Sequence, residues 1–164
     1  MARWATFFLT GSIVLCLSNT ALGQLKPEDR PELLEGFTEA AKRLQKPDCG
    51  DLFGPKGREV FLSATYIVIS FGKPQLNSDG KFNVISASTD RERNIIMINS
   101  EGPYMNPRLA VHGVRFNFGL KDREFRALLL LHELGHLAGR FKHDAADPAL
   151  SRSYTTSVLE ACFE

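Results

Sequence analysis

The sequence predicts an α+β fold: an N-terminal helix, a small mixed or antiparallel sheet, a buried helix and a short C-terminal helix. Three observations predict it. Apolar residues recur at helical spacing between positions 27 and 46. A run from 60 onward is rich in β-branched and aromatic residues and is broken by turn signals. A nearly continuous apolar stretch covers 125–138. The chain has 164 residues, 43% hydrophobic and 24% charged, which is globular composition and excludes a disordered, collagen-like or coiled-coil protein. Lys and Arg total 20 against 19 Asp and Glu, so no positive excess exists to hold a nucleic-acid backbone.

Residues 1–23 carry one charge, Arg3, then an apolar stretch from Trp4 to Leu17, polar Ser18, Asn19 and Thr20, and the small-x-small Ala21-Leu22-Gly23. This is the pattern of a secretory signal, with cleavage expected after Gly23 and 24–164 left as a single domain. The apolar run is too short and too punctuated for a membrane span. The expected destination is therefore secreted, periplasmic or extracellular, with no membrane association after cleavage. Removing 1–23 leaves 19 charges of each sign and two cysteines, Cys49 and Cys162. In an oxidising compartment these are expected to pair.

The remaining elements follow in order. Leu33, Leu34, Phe37, Ala40, Ala41 and Leu44 keep an i, i+3, i+4, i+7 rhythm, which predicts a helix ended by Pro47 and Gly50. Positions 46–50 then read as a turn. The run 60–71 reads as a strand stopped by Gly72-Lys73-Pro74, and 77–80, with Asp79-Gly80, as a hairpin turn. Further short strands are predicted at 82–88 and 94–99 and another at 110–118. Asp90 to Arg93 mix charge signs and read as an exposed turn. Asp122 can cap the apolar helix, and Gly139 ends or bends it. The last helix is predicted at 151–163, with Val158, Leu159 and Cys162 on one side.

The chemistry is concentrated in 131–144, LHELGHLAGRFKHD, which holds three of the four histidines. His132 and His136 are four residues apart, hence about 40° apart around a helix and on one face. Two imidazoles on adjacent turns can ligate one zinc ion. Glu133, offset by about 100°, can reach a metal-activated water as general base without ligating the metal. Burying two histidines and a glutamate in so apolar a helix costs several kcal/mol unless they are paired or bound to metal.

This H-E-x-x-H resembles the active-site helix of zincin metallopeptidases. Its extension, H-E-x-x-H-x-x-G with Gly139, is similar to the metzincin branch, where the glycine turns the chain back to a third ligand. The resemblance implies a zincin-like fold, one zinc ion held by His132, His136 and a third ligand, Glu133 as catalytic base, and a peptide or protein substrate cut by hydrolysis. The family's third ligand lies three residues after the glycine, where this chain has Lys142. His143 is the expected replacement, with Asp144 or Asp147 as alternatives. No methionine follows Met105, so the Met-turn of that branch is missing.

Other positions read more plainly. His112 is expected as a packing or surface residue, Arg140 and Lys142 as solvated charges, and Tyr154 as a residue of the last helix that some zincins would use on an oxyanion. The strand at 94–99, NIIMIN, reads either as an edge that pairs with an extended peptide or as an internal core strand. A second reading of the whole chain is a secreted zinc-binding structural or interaction domain without turnover.

Overall fold

The computed structural model describes residues 30–72, 75–76, 82–83, 85–109, 119–144 and 147–164. The expected signal segment 1–23, the turn at 77–80 and the strand at 110–118 with His112 lie outside the described residues. Those described form an α+β arrangement with five helices and a three-stranded mixed sheet.

The first helix, α1 (Pro31–Arg43), places Pro31 in its first turn, Glu32 beside it, and Lys42 and Arg43 in its last turn, as backbone geometry and the helix dipole favour. The expected turn at 46–50 is instead a second helix, α2 (Pro47–Phe53). Proline cannot continue α1 but suits the first position of a new helix, and Cys49 and Phe53, one turn apart, are buried together. The expected strand at 60–71 is likewise divided into α3 (Gly57–Ser63) and β1 (Thr65–Ile69). Val60 is the only β-branched residue in α3, and packing decides the rest. Phe61 is fully buried, stacks on Phe37 with ring centroids 4.9 Å apart, and its carbonyl accepts the Tyr66 hydroxyl at 2.7 Å.

Strands β2 (Gln75–Leu76) and β3 (Phe82–Asn83) form a separate antiparallel ribbon. The hairpin β4 (Ala87–Asp90) and β5 (Ile95–Asn99) turns through 91–94, with the Asp90 carboxylate accepting the Arg93 N–H at 3.1 Å. Sheet order is β1-β5-β4, with β1 parallel and β4 antiparallel to β5. Among the described residues NIIMIN is therefore the central core strand, its Ile96 and Ile98 fully buried, and β4 is an edge. Thr89 stands directly opposite Ile96 and so shares its inward face.

A short 3-10 turn, Pro107–Leu109, precedes the long helix α4 (Asp122–Leu137). Its start is closed by Glu124, whose carboxylate accepts the Lys121 N–H at 2.9 Å, while Asp122 sits in the first turn. As the continuous apolar run predicts, α4 is buried nearly all round, against α1 on one side and β4 and β5 on another. Its buried Arg126 donates to the Tyr104 carbonyl at 3.0 Å and pairs with Glu35. The last helix, α5 (Pro148–Phe163), starts three residues before the expected boundary because Asp147 caps it, accepting the N–H groups of Ala149 and Leu150 at 3.1 and 3.0 Å. Val158, Leu159 and Cys162 are buried along one side, as expected. No helix among the described residues is long and apolar enough to cross a membrane.

Cys49 and Cys162 form the expected disulfide, tying α2 to α5 across 113 positions of sequence. Closing so long a loop removes about 4–5 kcal/mol of chain entropy from the unfolded state. That is a large share of an ordinary domain's stability. Cys49→Ser with Cys162→Ser is expected to lower the denaturant midpoint sharply, and reductant is expected to shift the native protein toward the same midpoint.

Candidate metal centre

α4 delivers His132 and His136 to one face on successive turns, as their spacing requires. Each is near the surface of a cleft of about 980 Å³ that is also lined by β4, the 139–144 segment and the start of α5. Their Nε2 atoms lie 3.2 Å apart. The third member of the group is Asp144: its Oδ2 is 3.3 Å from His132 Nε2 and its Oδ1 is 3.3 Å from His136 Nε2. Ligand atoms about 2.0–2.1 Å from a tetrahedral zinc ion are separated by about 3.3–3.4 Å. The two nitrogens, and each nitrogen with one oxygen of the Asp144 carboxylate, stand close to that spacing.

The hydrogen bonding shows which electron pairs meet. Thr155, on α5, donates its hydroxyl proton to the Ser151 carbonyl at 3.0 Å. Its oxygen is then an acceptor for His132 Nδ1, 3.1 Å away, which fixes the proton on Nδ1 and leaves Nε2 a bare lone pair. Burial, then the neighbouring His136, pushes the His132 pKa down to about 4, against the pull of Asp144. Burial also lowers that of His136. The His132 Nε2 lone pair and the Asp144 carboxylate therefore face each other at 3.3 Å with His136 Nε2 3.2–3.3 Å from both, and Asp144 Oδ2 is buried without a hydrogen-bond partner. Such a cluster of acceptors is repulsive by itself and is satisfied by a cation placed among them. Among the described residues, these are the ones grouped to hold a metal ion. Donors of two imidazoles and one carboxylate suit zinc.

The return of the chain explains why Asp144, and not His143, completes the group. Gly139 has φ +70°, where glycine carries no steric penalty, and the Arg91 guanidinium lies against its Cα where a side chain would stand. Phe141 then folds back over α4, its ring filling the space that a side chain at Gly135 would occupy. It stacks on Tyr154 with centroids 4.3 Å apart and planes at 2°, and touches both histidine rings. The Lys142 N–H donates to the Tyr154 hydroxyl at 3.1 Å. With the segment pinned at 141 and 142, Asp144 turns inward and the His143 side chain is left exposed, outside the group of three. Asp147, the other alternative, is engaged as the cap of α5.

Glu133 is buried on the same helix and lines the same cleft. Thr89, pointing inward from the edge strand, donates to Glu133 Oε2 at 2.6 Å. Burial raises the Glu133 pKa to about 7, opposed by the Thr89 hydrogen bond and assisted by the Asp144 charge. A carboxyl tuned near neutrality is matched to taking and returning protons.

Four contributors escaped the sequence reading. Thr89 and Thr155 carry no local signal, because a threonine 44 positions before the motif or 23 after one of its histidines means nothing until the chain folds. Gly135 and Phe141 were legible in principle: a glycine inside a helix needs a reason, and a close-packed ring supplies one. Metal-ligating histidines lose about 10–100-fold in affinity when the partner orienting the ring is removed. Thr155→Val is therefore expected to weaken zinc binding by about that factor, read by competition with a chromophoric chelator, with the melting temperature of the metal-free protein nearly unchanged. No family model, curated protein or solved structure matches the chain.

Proposed function

We propose that the chain is a small exported zinc-dependent peptidase of zincin-like fold, with His132, His136 and Asp144 as metal ligands and Glu133 as general base. The observation that carries this reading is the convergence of the His132 and His136 Nε2 atoms and the Asp144 carboxylate at 3.2–3.3 Å, beside a buried carboxyl of near-neutral pKa. Zinc supplies Lewis-acid polarisation of a carbonyl and a lowered pKa for water. The chain's residues supply the rest. Thr155 holds His132 in the ligating tautomer, and Thr89 holds Glu133 where its carboxylate accepts a proton and later delivers it to the leaving amine. The edge strand β4 lines the cleft through Ala87, Ser88 and Thr89, and offers main-chain groups to an extended peptide. The Cys49–Cys162 bridge is consistent with an oxidising destination such as the periplasm or the extracellular space.

The test is cleavage of an unstructured protein such as casein by the purified chain. Activity is expected with zinc, to vanish with chelator and to return on adding zinc back. The second reading, a zinc-stabilised domain without turnover, predicts stoichiometric zinc, a melting temperature raised by the metal, and intact casein in every condition.

A further inference from the structure

The rim of the cleft has a charge pattern that the hydrolytic chemistry does not use. Arg91, Lys142 and Arg152 all line it and all are exposed. They arrive from three places: Arg91 directly after β4, Lys142 in the segment between Gly139 and Asp144, and Arg152 one helical turn before Thr155. Among the described residues none of the three has a carboxylate within ion-pair distance. Four arginines elsewhere do have carboxylate partners: Arg43 with Glu39 and Glu124, Arg93 with Asp90, Arg123 with Glu39 and Arg126 with Glu35. The carboxylates lining the cleft are Glu133 and Asp144, both turned inward, one on Thr89 and the other on the two imidazoles. A divalent ion would offset those two negative charges and leave three positive ones facing whatever enters. In a chain of formal net charge +1, this is a local concentration of positive charge and not a reflection of the whole.

We infer that the cleft selects peptides bearing carboxylates close to the segment it binds, with Arg91, Lys142 and Arg152 as the specificity determinants. This rests on the peptidase reading for the identity of the ligand as a peptide. The carboxylate can come from Asp or Glu side chains or from a free C-terminus, and both meet the same cations. Exposed charges are screened over about 8 Å at physiological salt, so the preference is expected to be about tenfold and to fade as salt rises.

The experiment measures fluorescence anisotropy of rhodamine-labelled peptides on the zinc-loaded chain carrying Glu133→Gln, so that binding is read with the ion in place and without hydrolysis. One peptide carries glutamates, a second carries glutamines at the same positions, and each is made with a free and with an amidated C-terminus. Tighter binding of the glutamate peptide, about tenfold at low salt, supports the inference with side chains as the source. A loss confined to amidation supports it with the C-terminus as the source. Combined Arg91→Gln, Lys142→Gln and Arg152→Gln is expected to erase the preference, and the three single variants to share the loss should the combined protein melt early. Equal binding of all four peptides to the zinc-loaded Glu133→Gln chain overturns the inference, as does a preference that survives all three rim substitutions. Zinc-dependent cleavage of casein with no charge preference in binding sinks this inference alone. Charge-selective binding without cleavage sinks the peptidase reading and leaves the anionic-peptide cleft standing.

Discussion

Asp144→Ala is expected to abolish stoichiometric zinc binding, and His143→Ala to leave it nearly intact. The two residues are adjacent, and both follow the H-E-x-x-H helix closely enough to be ligands by spacing. Only one has its atoms in the group. Asp144 stands 3.3 Å from each imidazole Nε2 with a buried, unpartnered oxygen, whereas the His143 side chain is exposed. Losing a ligand removes a bond to the metal itself. The loss should therefore exceed the roughly 10–100-fold expected from removing a partner that merely orients a ligand. Asp144→Ala also relieves the crowding of acceptors, so the metal-free variant is expected to melt no lower than the native metal-free chain. Isothermal titration of zinc into the two variants and the native chain, with melting curves of each, separates the ligand from its neighbour.

Glu133→Gln is expected to remove hydrolysis and keep the metal. The amide is the same size as the carboxyl, can still accept from Thr89, and leaves His132, His136 and Asp144 untouched. It cannot take a proton from water at neutral pH. General acid–base groups contribute about 10²–10⁴ in rate, so kcat/KM on a peptide substrate is expected to fall by about that factor while zinc content per chain stays constant. Replacing a buried carboxyl that burial pushes up to about pKa 7 with a neutral amide is expected to leave the fold intact or slightly firmer. Cleavage unchanged in this variant, with zinc present, contradicts the assignment of Glu133.

The sequence made the α+β class, the buried α4, a strand at 94–99 and the disulfide pair legible, because each rests on a short-range pattern or on simple counting, while whether that strand is central or an edge stays open until its neighbours are in place. Leu128, Leu130, Leu131 and Leu134 could only belong to a helix buried on most sides. The misread elements were short ones whose fate long-range packing decides. Phe61 reads as a strand residue until Phe37, more than twenty positions away, offers it a stacking partner. Cys49 reads as part of a turn until α5 arrives to bury it. The site divides in the same way. His132, Glu133 and His136 are set by helical spacing alone. The choice among His143, Asp144 and Asp147 depends on how Phe141 seats over Gly135 and against Tyr154, and on which aspartate is needed to cap α5. Spacing carries none of that, because a loop's path is fixed by what it packs against.

Everything proposed for the site depends on His132, His136 and Asp144 holding one zinc ion. The most direct measurement is an anomalous difference map from crystals of the zinc-loaded chain, recorded above and below the zinc absorption edge. The account predicts one strong peak about 2.0–2.1 Å from Nε2 of His132, Nε2 of His136 and an oxygen of Asp144. A peak ligated instead by His143 contradicts the ligand set. Crystals grown with excess zinc that show no peak between the two histidines contradict the metal centre itself.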